Sequence, residues 1–182
     1  LEGITLDVLP GETIAVVGAT GSGKTSLLNE ILQKNGNIRF LVIENEAGNI
    51  NIDSELINHD TNNKVYELTS GCICCSLNRE LGTLLNSIIL SDVNYDYLLI
   101  EATGMADPGQ IINMFTGPRI QRFFRLDGVV CVVDSDSFIR RVSDFHEAYM
   151  QISLANMVLI NKSDLVNEDK LIDIEHRVKT IN

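Results

Sequence analysis

Three of the four cysteines in this chain, Cys72, Cys74 and Cys75, are packed into the run Gly71-Cys72-Ile73-Cys74-Cys75. Thiolates select zinc, copper(I) and similar soft or borderline ions. A tetrahedral zinc site takes four ligands, so the cluster leaves one position for Glu46, a water, a partner's ligand or a second subunit. An open position suits transfer better than a closed structural site. Adjacent cysteines such as Cys74 and Cys75 rarely pair with each other, so metal binding outranks a disulfide. The plainer alternatives are a loop stabilised by structural zinc, or thiols that pack without metal. Cys131 sits inside an apolar run and reads as core, while His59, His146 and His176 are isolated and read as surface or helix residues.

A second chemistry flanks the cysteines. Gly18-Ala19-Thr20-Gly21-Ser22-Gly23-Lys24-Thr25 fits G-x-x-x-x-G-K-[ST], between an apolar strand and a helix that starts near Lys24. Its glycines allow successive N–H groups to wrap a phosphate at the positive end of that helix. Lys24 is expected to reach the β and γ phosphates, and the Thr25 hydroxyl to ligate magnesium. Asn161-Lys162-Ser163-Asp164 closes a late apolar strand, where α/β sheets bind ligands. Asp164 can accept hydrogen bonds from guanine N1–H and the 2-amino group, and a site built around such a buried carboxylate rejects adenine. Tyr97-Leu98-Leu99-Ile100-Glu101-Ala102-Thr103-Gly104 is an apolar strand ending in an acid. Glu101 can hold magnesium directly or through water, and Gly104 can offer its N–H to a γ-phosphate. Together these motifs point to a GTP-hydrolysing protein that handles a transition metal.

The elements that must position these residues are legible as alternating runs. Thr13–Val17, Phe40–Ile43, Lys64–Leu68, Tyr97–Ile100, Val129–Val133 and Met157–Ile160 read as strands buried on both faces. Helical patterns at Lys24–Gln33, Arg79–Ile89 and Ser135–Phe145 separate them, and Glu175 to Asn182 also reads as helix. The expected fold is a doubly wound, mainly parallel α/β sheet flanked by helices, the P-loop NTPase arrangement. With 182 residues, 45% of them hydrophobic, the chain is expected to form one P-loop GTPase domain over 1–182. It begins at Leu1 and has no closing strand after its last helix, so it reads as truncated before that strand and any C-terminal accessory domain. A net charge of −11 disfavours nucleic-acid or anionic-membrane partners. Neither a spanning apolar run nor a signal-peptide pattern is visible, so a cytoplasmic location is the default expectation.

The order of the P-loop, Asn45-Glu46-Ala47-Gly48, the C-x-C-C run, Glu101-Ala102-Thr103-Gly104-Met105-Ala106-Asp107-Pro108, Asp127-Gly128-Val129-Val130 and Asn161-Lys162-Ser163-Asp164 resembles the CobW family of GTPases. That family is related to the nickel-insertion GTPases of urease and hydrogenase maturation, and the resemblance covers roughly residues 12 to 181. It implies a metallochaperone that uses GTP/GDP and magnesium, carries zinc or cobalt on its cysteines, and releases the ion to a client metalloprotein. By position it implies phosphate contacts from Gly21, Ser22, Gly23, Lys24, Thr25 and Ser26, and magnesium at Thr25 and Glu101. It implies a guanine frame of Asn161, Lys162 and Asp164, and a metal site of Cys72, Cys74 and Cys75 with Glu46 nearby; Asp53 matches a family acid of less clear role. Ala47 and Asn51 depart from the family's N-E-F-G-x-x-G-I-D pattern.

Lys24, Thr25 and Glu101 are the expected catalytic residues, because phosphoryl transfer is mostly positioning and charge stabilisation. Glu101 and Asp107 are candidates for orienting water, and Arg119, Arg122 and Arg125 for supplying charge across a possible homodimer. Two other classes compete: a GTP-dependent metal sensor with negligible turnover, and an ABC-like ATPase fragment, suggested by the lead-in Leu1 to Glu12.

Overall fold

Six apolar runs pair into one sheet, at the places where strands are expected. The computed structural model describes residues 11–46, 64–69, 77–91 and 93–182, with the backbone alone at 45, 46, 64–69, 77 and 78. The strands are β1 (Glu12–Val17), β2 (Phe40–Glu46), β3 (Lys64–Thr69), β4 (Tyr97–Glu101), β5 (Arg125–Asp134) and β6 (Met157–Asn161). The helices are α1 (Lys24–Lys34), α2 (Leu77–Leu90), α3 (Pro108–Phe115), α4 (Phe138–Asp144), α5 (His146–Ser153) and α6 (Glu168–Ile181). The sheet runs β3-β2-β4-β1-β5-β6, and every pairing is parallel rather than mainly so. Strand order reverses about β1, which leaves a crevice at its carboxyl end.

Alternation along the strands explains why both faces need cover. Ile14, Val16, Val42, Leu99, Val130 and Val132 point to one side, where Leu27, Leu28 and Leu32 of α1 bury them. Ala15, Val17, Leu41, Ile43, Leu98 and Ile100 point to the other. There Leu81 and Leu85 of α2, Ile111 and Phe115 of α3, Ile152 of α5 and Ile174 of α6 close the core. Burial on both faces is what makes the runs continuous in sequence instead of alternating. Cys131, in β5, is 1% exposed, in agreement with its reading as core.

The start of α4 departs from expectation. The pattern over Ser135–Phe145 starts as helix only at Phe138, because Asp134 Oδ1 takes the N–H of Asp136 (2.9 Å) and Ser135 Oγ donates to Lys162 O (2.6 Å). Short polar side chains that bond local backbone compete with helix, and here they make a turn beside β6. The last helix, α6, contains the stretch from Glu175 that reads as helical and begins at Glu168, capped by Asn167, whose side chain accepts the Lys170 N–H (2.9 Å). No helix among the described residues is long and apolar enough to cross a membrane.

The chain enters β2 and β4 through a shared clamp. Arg39 donates from Nε and an Nη atom to the two Asp96 oxygens (3.1 and 2.7 Å), and its backbone N–H reaches Oδ2 (2.9 Å). Asp96 N–H returns a bond to Arg39 O (2.8 Å). The Arg39 guanidinium and backbone N–H hold the Asp96 carboxyl down at about 2. A depressed carboxyl stabilises the fold above its unfolded value, and that contribution is lost as pH falls from about 4 toward about 2. Asp96→Asn is therefore expected to lower the urea midpoint at pH 7, with the gap to the parent narrowing on acidification. A gap that stays constant with pH would assign the loss to packing alone.

Candidate functional site

The carboxyl end of β1 runs into a loop that only glycine allows. Gly18, Gly21 and Gly23 have φ of 140°, 77° and 103°, in or near the left-handed range. A Cβ on Gly18 would lie 2.2 Å from Val132 O, and one on Gly23 2.2 Å from Asn161 Nδ2. The turn thus bends back against β5 and β6 and delivers the chain to α1. Gly23 caps α1 with no side-chain hydrogen bond, at the positive end of the helix, where anions are favoured. Ser22 is fully buried, and its Oγ has no hydrogen-bond partner among the described residues. The orphaned Ser22 hydroxyl, at the positive end of α1, is a donor suited to phosphate oxygens.

Parallel register brings the acids to this loop. Val16 pairs with Glu101, and Glu101 in turn with Glu44 across β2. The Thr25 hydroxyl donates to Glu101, with Oε1 at 3.0 Å and Oε2 at 3.3 Å. Lys24 is 7% exposed, and its Nζ lies 3.9 Å from Glu101 Oε1 and 3.4 Å from Ala19 O. A hydroxyl beside a carboxylate is a hard-oxygen pair of the kind magnesium prefers. Thr25 and Glu101 therefore fit the ion, and Lys24 supplies fixed positive charge beside them. Gly104 packs on the same loop: a Cβ there would lie 2.4 Å from Thr20 Oγ1 and 2.5 Å from Thr20 N.

The other half of the crevice comes from β5 and β6. Asp134 is in register with Asn161. Asn161 Nδ2 donates to Ser22 O (2.8 Å), so its amide ties the phosphate loop in place. Lys162 has φ 58° and extends its ammonium to Asp134 Oδ2 (2.8 Å). Burial raises the Asp134 carboxyl, but the Lys162 ammonium and the N–H groups of Asp136 and Ser137 outweigh it, and the net shift is downward. Asp164 lies on the short turn Ser163–Leu165 and is exposed, not buried as the sequence suggests. It borders a depression of about 460 Å³ lined by Asn161, Lys162, Ser163 and the facing residues of β6 and α6.

The remaining candidates divide clearly. Gly21 and Ser26 are exposed at the loop. Glu46 ends β2, opposite Thr69 of β3, with only its backbone described. Cys72, Cys74, Cys75, Asp53, His59 and the lead-in at residues 1–10 lie outside the described residues. Asp107 caps α3, its Oδ1 accepting the Gly109 N–H (2.8 Å), which occupies the carboxylate proposed for water. Arg125 starts β5 and pairs with buried Glu12 at the start of β1, the end of the sheet opposite the phosphate loop. Arg119 and Arg122, exposed in the segment before β5, share that end, so none of the three reaches the loop within one chain. His146 and His176 are exposed. Burial pushes the Cys131 thiol up to about 12, which removes it as a thiolate ligand. Sequence reading passed over Asp134 and Ser135; an acid ending an apolar strand, the signal used for Glu101, was present there too.

Comparison with known proteins agrees with this geometry. Residues 12–182 match the family model described as CobW/HypB/UreG, nucleotide-binding domain. The chain is 37% identical over 173 residues to the zinc chaperone YjiA of Escherichia coli, covering 92% of this chain and 53% of that protein. It is 31% identical over 202 residues to zinc-regulated GTPase metalloprotein activator 1 of Dictyostelium discoideum, covering 91% of this chain and 42% of the relative. The chain thus spans about half the length of the curated relatives it matches. Among solved structures, Zn(II)-bound YjiA GTPase from E. coli superposes with a TM-score of 0.68 at 28% identity, covering 94% of this chain and 54% of that one. The hydrogenase maturation factor HypB from Archaeoglobus fulgidus, at 20% identity and TM-score 0.65, shares the fold. These matches set aside the ABC-like ATPase alternative, and the chain belongs to the CobW/HypB/UreG family of nucleotide-binding domains.

Proposed function

We propose that the protein is a GTP-hydrolysing metallochaperone that takes a transition metal, zinc or alternatively cobalt(II), on Cys72, Cys74 and Cys75 and passes it to a client metalloprotein. The observation that carries the nucleotide half is the Thr25–Glu101 contact at 3.0 Å beside buried Lys24, at the mouth of the glycine loop. In this reading the loop N–H groups and Ser22 hold the phosphates, and Lys24 offsets charge that develops on the β–γ bridging and γ oxygens. Thr25 and Glu101 would hold magnesium, which when bound supplies charge neutralisation at the β and γ phosphates. Asp164 reads guanine from the exposed turn, and Lys162, fixed by Asp134, lines the base. The metal half is supported by the cysteine spacing and by the relatives, which are named zinc chaperones and zinc-regulated activators. Coupling would run through the segment from Glu46 to Cys75, which passes from β2 through β3 toward α2 and begins two residues after Glu44, the register partner of Glu101. A cytoplasmic setting, with its reduced thiols, suits this cargo.

Three outcomes test the reading. Asp164→Ala is expected to weaken GTP binding by roughly 10- to 100-fold and to erase its preference over ATP, measured by displacement of a fluorescent nucleotide. An unchanged preference would remove Asp164 from the base site. Glu101→Gln should raise the magnesium concentration needed for half-maximal phosphate release by roughly 10- to 100-fold, whereas an unshifted requirement would place the ion elsewhere. In cobalt(II) and zinc titrations of the reduced protein, thiolate-to-cobalt absorption should be stronger with magnesium and a non-hydrolysable GTP analogue than with GDP, and Cys74→Ser should abolish it. Equal binding with both nucleotides would leave a structural metal, and GTP-tightened binding without phosphate release would mark a sensor.

A further inference from the structure

Buried polar side chains are few among the described residues, and most line the phosphate loop or the strand ends around it. Glu12 and Thr13 lie at the opposite end, where β1 starts, and Gln151 lies on a helix. It belongs to α5, on the sheet face opposite α1, yet is only 2% exposed. Its Nε2 donates to two backbone oxygens, Ala106 O at 3.0 Å and Gly104 O at 3.3 Å. Both lie in the loop after Glu101. That loop is tied to β1 at its start, where Ala102 N–H meets Val16 O (2.9 Å), and is closed by a turn from Ala106 N–H to Thr103 O (3.1 Å). Its end is fixed by Asp107 at the start of α3. Gly104 is therefore wedged, with Thr20 of the phosphate loop on one side and the Gln151 carboxamide on the other.

We propose that Gln151 is the positioning residue that holds Gly104 against the mouth of the phosphate loop, so that the Gly104 N–H meets a γ-phosphate and the site distinguishes nucleoside triphosphate from diphosphate. The inference rests on the nucleotide-binding reading above. A primary amide is suited to this task because its two N–H groups satisfy two carbonyls that α5 would otherwise bury against the loop. Without those donors, the two oxygens must turn to water, and the loop swings away from Thr20 with Gly104. The diphosphate is indifferent to this movement, since its phosphates reach only the glycine loop, Ser22 and Lys24. Gln151 touches no nucleotide in this scheme and acts only through Gly104.

The test uses the chain as it stands, with Gln151→Met, which keeps length and volume but has no donor, and Gln151→Glu as a second variant should Met disturb folding. Affinities for GDP and for a non-hydrolysable GTP analogue are measured with magnesium in each protein, together with steady-state phosphate release from GTP. The expected result is an unchanged GDP affinity and an analogue affinity about tenfold weaker, with kcat reduced by a similar factor. Equal weakening for both ligands would make Gln151 a structural residue only, and no change in either would overturn the proposal outright. Wild-type protein that binds the analogue but releases no phosphate would sink the hydrolysis reading, while the ratio of the two affinities would still decide the role of Gln151.

Discussion

Parallel pairing of β1 with β4 on one side and β5 on the other is the constraint from which the site follows. Parallel strands in register end together, so whatever residue closes each apolar run is delivered to the same edge. Here the residues so delivered are Gly18, Glu101, Asp134 and Asn161. Charge at that edge is tolerable only because each group meets a partner. Glu101 receives the Thr25 hydroxyl and sits beside Lys24, Asp134 receives Lys162, and Asn161 bonds the backbone of Ser22. The core contributes by immobility: Val16, Val17, Val130 and Val132 are buried on both faces, so the loop ends have no slack.

Much of this was readable before any coordinates. The central strands were visible because burial on both faces writes an uninterrupted apolar run, as in β1, and the glycine loop because its φ angles demand glycine at fixed places. What sequence could not supply were contacts between segments far apart. The amide of Asn161 reads as a base contact by motif, yet it bonds a carbonyl 139 residues away in the phosphate loop. Gln151 looks like an ordinary helix residue in sequence, and only the packing of α5 against the Glu101 loop reveals its partners. The expected burial of Asp164 failed for a related reason, because strand-end position predicts location along the sheet and not depth beneath it. Arg119, Arg122 and Arg125 show the converse: topology places them at the end of the sheet away from the phosphate loop of their own chain, which charge alone does not foretell.

The glycine loop and the turn that follows β6 share one framework in this fold. Gly23 has no room for a Cβ because Asn161 stands over it, and Asn161 is flanked by Lys162 in a left-handed conformation held by Ser135 and Asp134. A change at any of these positions moves the others, and effects of neighbouring substitutions here will not add. The turn that shortened α4 is part of the same framework, since the hydroxyl that left the helix is the one bonded to Lys162 O.

Cys131, lastly, has a bearing on how the thiols of this protein behave as a population. It is enclosed by the sheet, and its proton is held far above neutral pH. Alkylating reagents and oxidants act on thiolates they can reach, so this sulfur is silent in the folded chain. Rapid thiol reactivity of this folded 182-residue chain then reports on Cys72, Cys74 and Cys75, and its suppression by an added ion would report occupancy of that cluster with no background from the core.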